Sequence, residues 1–495
     1  MLERHLVDEG KVKLAFAVAD HPWVDAADGA AVRVAMTVGC SVTEKVVPTL
    51  GEADGDGESA TFTYKAVGRI GTSLDAVSVH EQITALEANR DICFQGVVPS
   101  GDGFKLDADE VVKLGYSDDA LPPVLRRYII GKDLVQRFEC RFIIDFFGLS
   151  DSQAMASWPA LYQWVTNRVR GEREAKRGDT KDSQEYADNW WIFAKTRPTM
   201  RKALKGLRRF IVTPYTAKHR PFVFVDGDTL PDAMAYAIAS DDAFTLGVLS
   251  SRTHLVWALK TGGTLEDRPR YNSTSTFAPF PFPMATEAQQ TRIRDLAERL
   301  DTHRKRQQAQ HPKLTLTDCY NVLEKLRAGT PLIAKEQLTH EHGLVSVLRQ
   351  LHDELDAAVA AAYGLPTTAS DEAILTHLCA LNAQRAAEER AGIIRWLRPA
   401  FQNPTSTATQ TSLATGDEPA AVKPAAAKAK PAWPKALAAQ VQAVEAALAA
   451  MPGAVTSAAL AKTFARAPEA AVAEILDTLA TLGRARREAK GRYCR

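Results

Sequence analysis

The sequence predicts a mixed α/β chain of several domains, with strands gathered in the first half, helices in the second, and a small helical domain closed by two short strands at the end. Three observations carry that expectation. The length, 495 residues, exceeds one ordinary domain and suggests about three. Short apolar runs of strand character dominate up to residue 284, and apolar positions then recur at helical spacing from 286 to 402. Residues 403–433 are Ser/Thr-rich and then alternate Ala with Lys and Pro in AAVKPAAAKAKPA, so they have little to bury and read as a disordered linker.

Taken in order, residues 11–19 (KVKLAFAVA) and 30–40 (AAVRVAMTVGC) are two strand candidates, joined by a stretch whose Pro, Asp and Gly mark a connection. The first is apolar at consecutive positions, as in a strand buried on both faces. Two strands alone are marginal in water. They are therefore expected to pair with strands this chain does not supply, or with a later one such as 141–147 (RFIIDFF). Residues 41–64 read as an acidic, Gly-containing loop, VSVHEQITALEAN (77–89) as helix-like, and the stretch around 158–170 as a helix.

From 286 the segment TEAQQTRIRDLAERLDTHRKRQQAQ sets Ile293, Leu296 and Leu300 on a polar background, the pattern of a packed surface helix. A longer helix over 344–363 is stopped by Gly364 and Pro366, and its Asp353, Glu354 and Asp356 read as a solvated face and not a metal site. In 434–495 three helical patterns precede ARREAKGRYCR, which suits a two-stranded wing, so this part suggests a winged helix-turn-helix. Its third helix carries Glu469, Glu474 and Asp477 and no Lys or Arg before Arg484. Those charges oppose a phosphate-lined groove, which leaves protein contact at least as good a reading as DNA.

Charge is balanced, 61 Lys plus Arg against 60 Asp plus Glu, so no global field draws the chain to nucleic acid or membrane. Local charge is informative instead: from 168 to 220 there are fifteen basic residues and six acidic ones. The six cysteines are scattered without metal-ligand spacing, which fits a reduced cytoplasmic protein with no structural metal. No window approaches eighteen uninterrupted apolar residues and the N-terminus lacks the apolar run of a signal peptide, so no membrane association is expected.

The stretch 189–283 combines aromatic faces with phosphate-neutralising charge, the pairing a DNA-binding surface needs. Trp190 and Trp191 are adjacent; core is the default for large aromatics, and one can be buried while the other is presented. Arg168, Arg170, Arg173, Lys176 and Arg177 alternate with Glu172 and Glu174 and read as a solvated, self-paired helix face. Lys195, Arg197, Arg201, Lys202, Lys205, Arg208 and Arg209 have no interrupting acid, and 201, 205 and 208 would share one helical face. Such a face favours phosphate contact. Lys218, His219 and Arg220 lie between Pro214 and Pro221 in a turn suited to base or phosphate contact, or simply exposed. Ser250 and Ser251 with His254 match no hydrolase elbow and lack a partner carboxylate. They read as helix caps beside candidate DNA contacts, and no catalytic residue is identified. Arg268, Arg270, Tyr271 and Asn272 include side chains able to read base edges, Arg toward guanine and Asn toward adenine.

The phrases NWWIFAKTRP, TAKHRPFVF, DDAFTLGVLSSRTHLVW and RPRYNSTSTFAPFPFP, in that order, resemble the target-recognition region of MmeI-like adenine-specific DNA methyltransferases, a group that includes Type IIL restriction-modification enzymes and phage-defence methylases. Phe94, Gly96, Gly101, Gly103 and Phe104 match an F.G....G.GF segment of the family, and the resemblance extends over 2–402. It implies the last strands of a class I methyltransferase sheet in 1–45, a connecting segment in 46–90, an α+β DNA target-recognition domain in 91–284 and a helical domain in 285–402, before the linker and the winged-helix-like 434–495. It also implies S-adenosyl-L-methionine as methyl donor and double-stranded DNA as partner. Neither the Gly-rich cofactor turn nor the [DNS]PP[YFW] loop is found: Gly51 to Gly57 and Gly101 to Gly103 follow no strand-to-helix pattern, and ALPPV (120–124) lacks the flanking residues. The resemblance therefore implies a recognition half whose cofactor binds outside this chain, on a separate N-terminal methyltransferase half docked at 11–19. The alternatives are a stand-alone DNA-binding specificity subunit without methyl transfer, and a non-functional remnant.

Overall fold

The computed structural model describes residues 12–23, 32–54, 61–71, 74, 83–137, 139–265, 268–404, 433–434, 437–449, 451, 455–464, 467–481, 485–488 and 492–494. The chain divides into two compact units, Met1–Thr411 and Ser412–Arg495. The linker expected over 403–433 lies almost wholly outside the described residues.

The first unit opens with a four-stranded sheet. Strand β1 (Val12–Trp23) pairs antiparallel with β2 (Val32–Ser41) and parallel with β3 (Thr49–Asp54), which pairs antiparallel with β4 (Thr61–Ala66), giving the order β2-β1-β3-β4. Three expectations change here. The acidic stretch supplies β3 and β4, so β1 is flanked on both sides by strands of its own chain and is not an open docking edge. TFTYKA, rich in β-branched and aromatic residues, has the propensity for this. The later strand proposed as its partner, Arg141–Ile144, joins a different sheet. Leu14, Ala17 and Ile70 form a small core under one face. On the opposite side Phe16, Phe62 and Tyr64 form an aromatic row with ring centroids 5.9 and 6.5 Å apart. The helix-like 77–89 is described only from residue 83, where a single 3-10 turn, Glu87–Asn89, appears.

Two further four-stranded sheets build the α+β body. One has the order β10-β9-β12-β5, from β5 (Cys93–Gln95), β9 (Arg209–Pro214), β10 (Val223–Asp226) and β12 (Ala235–Ile238). The other has the order β11-β7-β8-β6, from β6 (Lys105–Asp107), β7 (Leu125–Ile129), β8 (Arg141–Ile144) and β11 (Leu230–Pro231). Strand β9 is buried on both faces because its side chains alternate: Phe210 and Val212 enter one core with Ala235 and Ala237, whereas Ile211 enters another with Tyr236 and Ile238. The first core also takes residues from the short helices α1 (Ala108–Lys113), α2 (Asp151–Ser157) and α3 (Pro159–Val165), a π turn (Thr166–Arg170), and α6 (Pro198–Leu204). Between these last two lie α4 (Gly171–Ala175) and α5 (Lys181–Asp188).

Helices α7 (Ala243–Ser250) and α8 (Arg252–Thr261) cover the second core and connect it to the helical region of α9 (Glu287–Gln310), α10 (Leu316–Ala328), α11 (Ala334–Gly343), α12 (Val345–Ala362) and α13 (Asp371–Arg390), closed by α14 (Pro399–Gln402). Ile293, Leu296 and Leu300 are buried, as their spacing predicts, and Gly364 at φ +68° ends α12. The acidic face expected on α12 is only partly solvated. Glu354 pairs with Arg292 at 2.7 Å and Asp353 with Arg327 at 2.8 Å, but Asp356 is largely buried and accepts the Arg252 amide at 2.7 Å. Burial raises the Asp356 carboxyl to about 6.

The second unit contains α15 (Leu437–Ala449), α16 (Ser457–Ala461), α17 (Glu469–Thr481) and a small sheet in which Arg492–Cys494 pairs antiparallel with Val455–Thr456 on one side and with Arg486–Glu488 on the other. Val444, Leu448, Leu460, Val472, Leu476 and Tyr493 form its core.

Candidate nucleic-acid interface

The structure separates the basic stretch into internal and external residues. Arg201, on α6, sends both guanidinium nitrogens to Asp145, at 2.5 and 3.0 Å, and its Nε to the Thr196 carbonyl at 2.6 Å. Its side chain is 12% exposed and that of Asp145 5%. Arg201 is therefore a buried ion-pair partner and not part of a charged surface face. Arg197 has a left-handed backbone at φ +57° just before Pro198 opens α6, and it donates to the Gly96 carbonyl at 2.9 Å and Gln95 Oε1 at 2.8 Å. Arg209 is held by Glu298 and the Asp241 carbonyl.

The helical face expected at 201, 205 and 208 does not form. Helix α6 stops at Leu204, Lys205 turns to ψ 126°, and Gly206 follows at φ +84°. Lys195, Lys202, Lys205 and Arg208 are all exposed. Their side chains make neither ion pairs nor hydrogen bonds within the described residues, which leaves them able to neutralise phosphates.

The tryptophans divide. Trp190 is buried in the first core against Tyr162, with ring centroids 5.3 Å apart. Trp191 is half-buried and donates Nε1–H to the Leu149 carbonyl at 3.0 Å. The turn 218–220 is pinned and not free. Lys218 donates to Asn321 Oδ1 at 2.7 Å and lies 3.2 Å from Glu324. His219 contacts Asn321 at 2.9 Å and stacks on Tyr320, and burial lowers its pKa against the opposing pull of Asn321 and Glu324. Arg220 is half-buried, donates to the carbonyls of Pro214 and Pro269, and is lowered by desolvation to about 10.

Residues 250–254 and 268–272 are likewise drawn inward. Ser251 caps α8, donating to the Val248 carbonyl at 2.7 Å, whereas the Ser250 hydroxyl is buried without a partner. His254 is fully buried: its Nδ1–H faces the Leu249 carbonyl at 2.9 Å and its Nε2 faces the Tyr271 hydroxyl at 3.2 Å. Burial holds it neutral, with a pKa lowered to about 3. Tyr271 is buried with it among Phe222 and Tyr236. The Asn272 Oδ1 is committed to capping Thr274, at 2.9 Å to its amide and 2.7 Å to its hydroxyl. Arg270 sits over the Tyr215 ring with its Nε buried and unpartnered, and Arg268 is exposed on the short hairpin Thr264–Leu265 with Arg268–Pro269. So His254, Ser251, Tyr271, Trp190, Arg201 and Arg220 are each engaged in contacts within the fold. The sequence already allowed Ser251 as a helix cap and a tryptophan in the core; what it did not show is that Asp145 and Pro269, 56 and 49 residues away, engage Arg201 and Arg220.

The predicted self-paired helix face is present in part. Lys176 pairs with Glu172, and Arg177 with Glu174, each at 2.7 Å. Arg173 is buried, donating to the carbonyls of Ile192 at 2.7 Å and Pro99 at 2.6 Å. No group of three or more metal-ligating side chains occurs among the described residues, and no described helix is long and apolar enough to cross a membrane.

Gly51 and Gly103 do not form a cofactor turn. Gly51 lies within β3, where a Cβ would come 2.7 Å from Val18 Cγ2, and a Cβ on Gly103 would overlap Arg168 Cβ. Both glycines permit close packing instead of cradling a ligand; Gly55 and Gly57 lie outside the described residues.

No curated protein sequence matches the chain. Among solved structures, the Type IIL restriction-modification enzyme MmeI in complex with DNA is similar at TM-score 0.60 and 19% identity, over 77% of this chain and 47% of that one, so the chain spans about half the length of that enzyme. The type IIG restriction endonuclease BpuSI aligns at TM-score 0.29 and 10% identity, over 71% of this chain and 45% of that one, too weakly to inform the fold. The family model of the MmeI target recognition domain matches residues 74–284, which contain the two central sheets, the exposed cations between α5 and β9, and helices α1 to α8. Residues 74–284 therefore belong to the MmeI target recognition domain family.

Proposed function

We propose that this chain is the DNA target-recognition part of a site-specific adenine DNA methyltransferase of a restriction-modification or phage-defence system. The observation that carries the proposal is the family match over 74–284. The uncommitted cations Lys195, Lys202, Lys205 and Arg208 support it, because they offer phosphate contacts without breaking internal ones. Catalysis belongs to a separate N-terminal methyltransferase half that supplies the S-adenosyl-L-methionine site and the base-gripping loop. Its docking edge is β2, which has a strand on only one side among the described residues and carries Val38 at 54% exposure. The second unit, with its three helices and small sheet, acts as a winged-helix module whose acidic third helix contacts protein.

Stand-alone binding without methyl transfer is the second reading; the packing around Gly51 and Gly103 is compatible with both. One experiment separates the two. Duplex affinity of the chain is measured across a salt series, and methyl transfer is measured for the chain alone and with a polypeptide carrying the missing motifs. Replacing Lys195, Lys202, Lys205 and Arg208 with Gln should lower the log–log salt slope by about 0.9 for each phosphate that is no longer neutralised. An unchanged slope would remove this surface from the proposal. Methyl transfer only in the mixture identifies a split enzyme; binding with no transfer in either case selects the binding subunit.

A further inference from the structure

The π turn between α3 and α4 carries an exposed arginine that has a platform but no acid. The Arg168 guanidinium carbon lies 3.3 Å from the centroid of the Trp164 ring. Arg168 forms no ion pair within the described residues, whereas Lys176 and Arg177 farther along each hold a carboxylate. One position before each partner of that stack, Gln163 Nε2 donates to Asn167 Oδ1 at 2.7 Å, and both amides are exposed. Spacing of four residues places Gln163, Trp164, Asn167 and Arg168 in one patch.

The backbone beneath the patch is fixed. Val169 is fully buried, Thr166 Oγ1 donates to the Tyr162 carbonyl at 2.8 Å, and Gly103 packs directly on Arg168 Cβ. The Trp164 indole nitrogen is buried without a hydrogen-bond partner, so the ring is set by the stack and not by its polar atom. Single π turns of this kind occur often at functional sites.

We propose that Arg168, held flat on Trp164 and flanked by Gln163 and Asn167, reads base edges in the target duplex. A planar guanidinium fixed by stacking is pre-organised to donate bidentately to guanine O6 and N7, and a neighbouring amide suits adenine. A phosphate contact would need charge but no such orientation. The patch is independent of the cations between α5 and β9, and the inference rests on the DNA-binding function proposed above.

The test is selection of preferred sites from duplexes of randomised sequence by the full chain, by Arg168→Ala and by Arg168→Lys, with the salt slope measured for each. Loss of preference at one base position by about tenfold in both variants, with the slope unchanged, is the expected result. Arg168→Lys keeps the charge and shields the test from misfolding. A weakening that is uniform over all sequences, with the slope lower by about one, would make Arg168 a phosphate contact and overturn the proposal. Retained preference in Arg168→Lys overturns it too, as does binding by the unaltered chain without any preference. If the unaltered chain binds no duplex at all, the underlying DNA-binding reading fails, and this inference falls with it.

Discussion

A guanidinium whose charge is already matched by a buried carboxylate is a structural group before it is a phosphate contact, and Arg201 shows the consequence at the scale of one residue. Removing it leaves the Asp145 carboxylate buried and unpaired. Arg201→Ala should therefore cost about 3–5 kcal/mol in urea unfolding, whereas Lys202→Ala, at an exposed and uncommitted position, should change stability by no more than about 0.5 kcal/mol. Equal unfolding midpoints for the two variants would mean that the Asp145 pair does not stabilise the fold. His254 makes a pH-dependent prediction. Its folded pKa of about 3 lies below the ordinary 6.5, so between those values the unfolded chain binds a proton that the folded chain does not. Stability should fall as pH drops through that window, by about 1.4 kcal/mol per pH unit. The lowered His352, His303 and His219 act in the same direction. Unfolding midpoints at pH 7 and pH 5 test this, and His254→Gln should flatten the difference. The residue types of this region were legible in the sequence, but their roles were not. Arg201 and Lys202 look alike until Asp145, 56 residues away, is folded against one of them.

Elements were easier to read where burial follows a local period. The spacing of Ile293, Leu296 and Leu300 gives the core side of α9, and Gly364 gives the end of α12, because both signals lie within the element itself. Strand β3, TLGEAD, has no such signal: its Gly and acids resemble a loop, and it becomes a strand by pairing on β1 and β4. The same logic limits α6, whose basic run continues past Leu204 although its helix does not. Contact between elements yields a sharper prediction at Gly247, where α7 crosses α9. A Cβ there would lie 2.6 Å from Ile293 Cγ2 and 3.2 Å from Ala297 Cβ. Gly247→Ala gains helix propensity of about 1 kcal/mol, but it must separate two packed helices, and overpacking costs about 1–3 kcal/mol. The net change should be destabilising, and a melting temperature at or above that of the unaltered chain would show that α9 yields without cost.

Across the first unit, side chains on both sides of residue 284 share their cores. Val248, Trp257 and Phe280 pack with Ile293, Leu296, Leu300 and Leu355, while Ile92, Ile211 and Tyr271 share a cluster with Ala297 and contact Leu397 and Phe401. Polar contacts close the same boundary. Asn382 donates to the carbonyls of Thr84 and Pro279 at 2.8 and 2.6 Å, and Glu389 accepts the amides of Glu87 and Ala88 at 2.7 and 2.9 Å. Arg398 donates to the carbonyl of Ala203, at the end of α6, at 2.7 Å and to that of Ala239 at 2.9 Å. The helical region thus completes the recognition domain and braces the helix from which Lys202 projects. A fragment of residues 91–284 would expose Val248, Trp257 and Phe280, each worth about 1.5–3 kcal/mol when buried, and would leave the Ala203 and Ala239 carbonyls without their donor. It should show no cooperative urea transition, whereas residues 83–404 should unfold cooperatively and bind duplex DNA with the salt slope of the full chain. A cooperative transition in the shorter fragment would show that the recognition sheets are stable without the helices, and the bracing assigned to α9, α13 and Arg398 would then have to be abandoned.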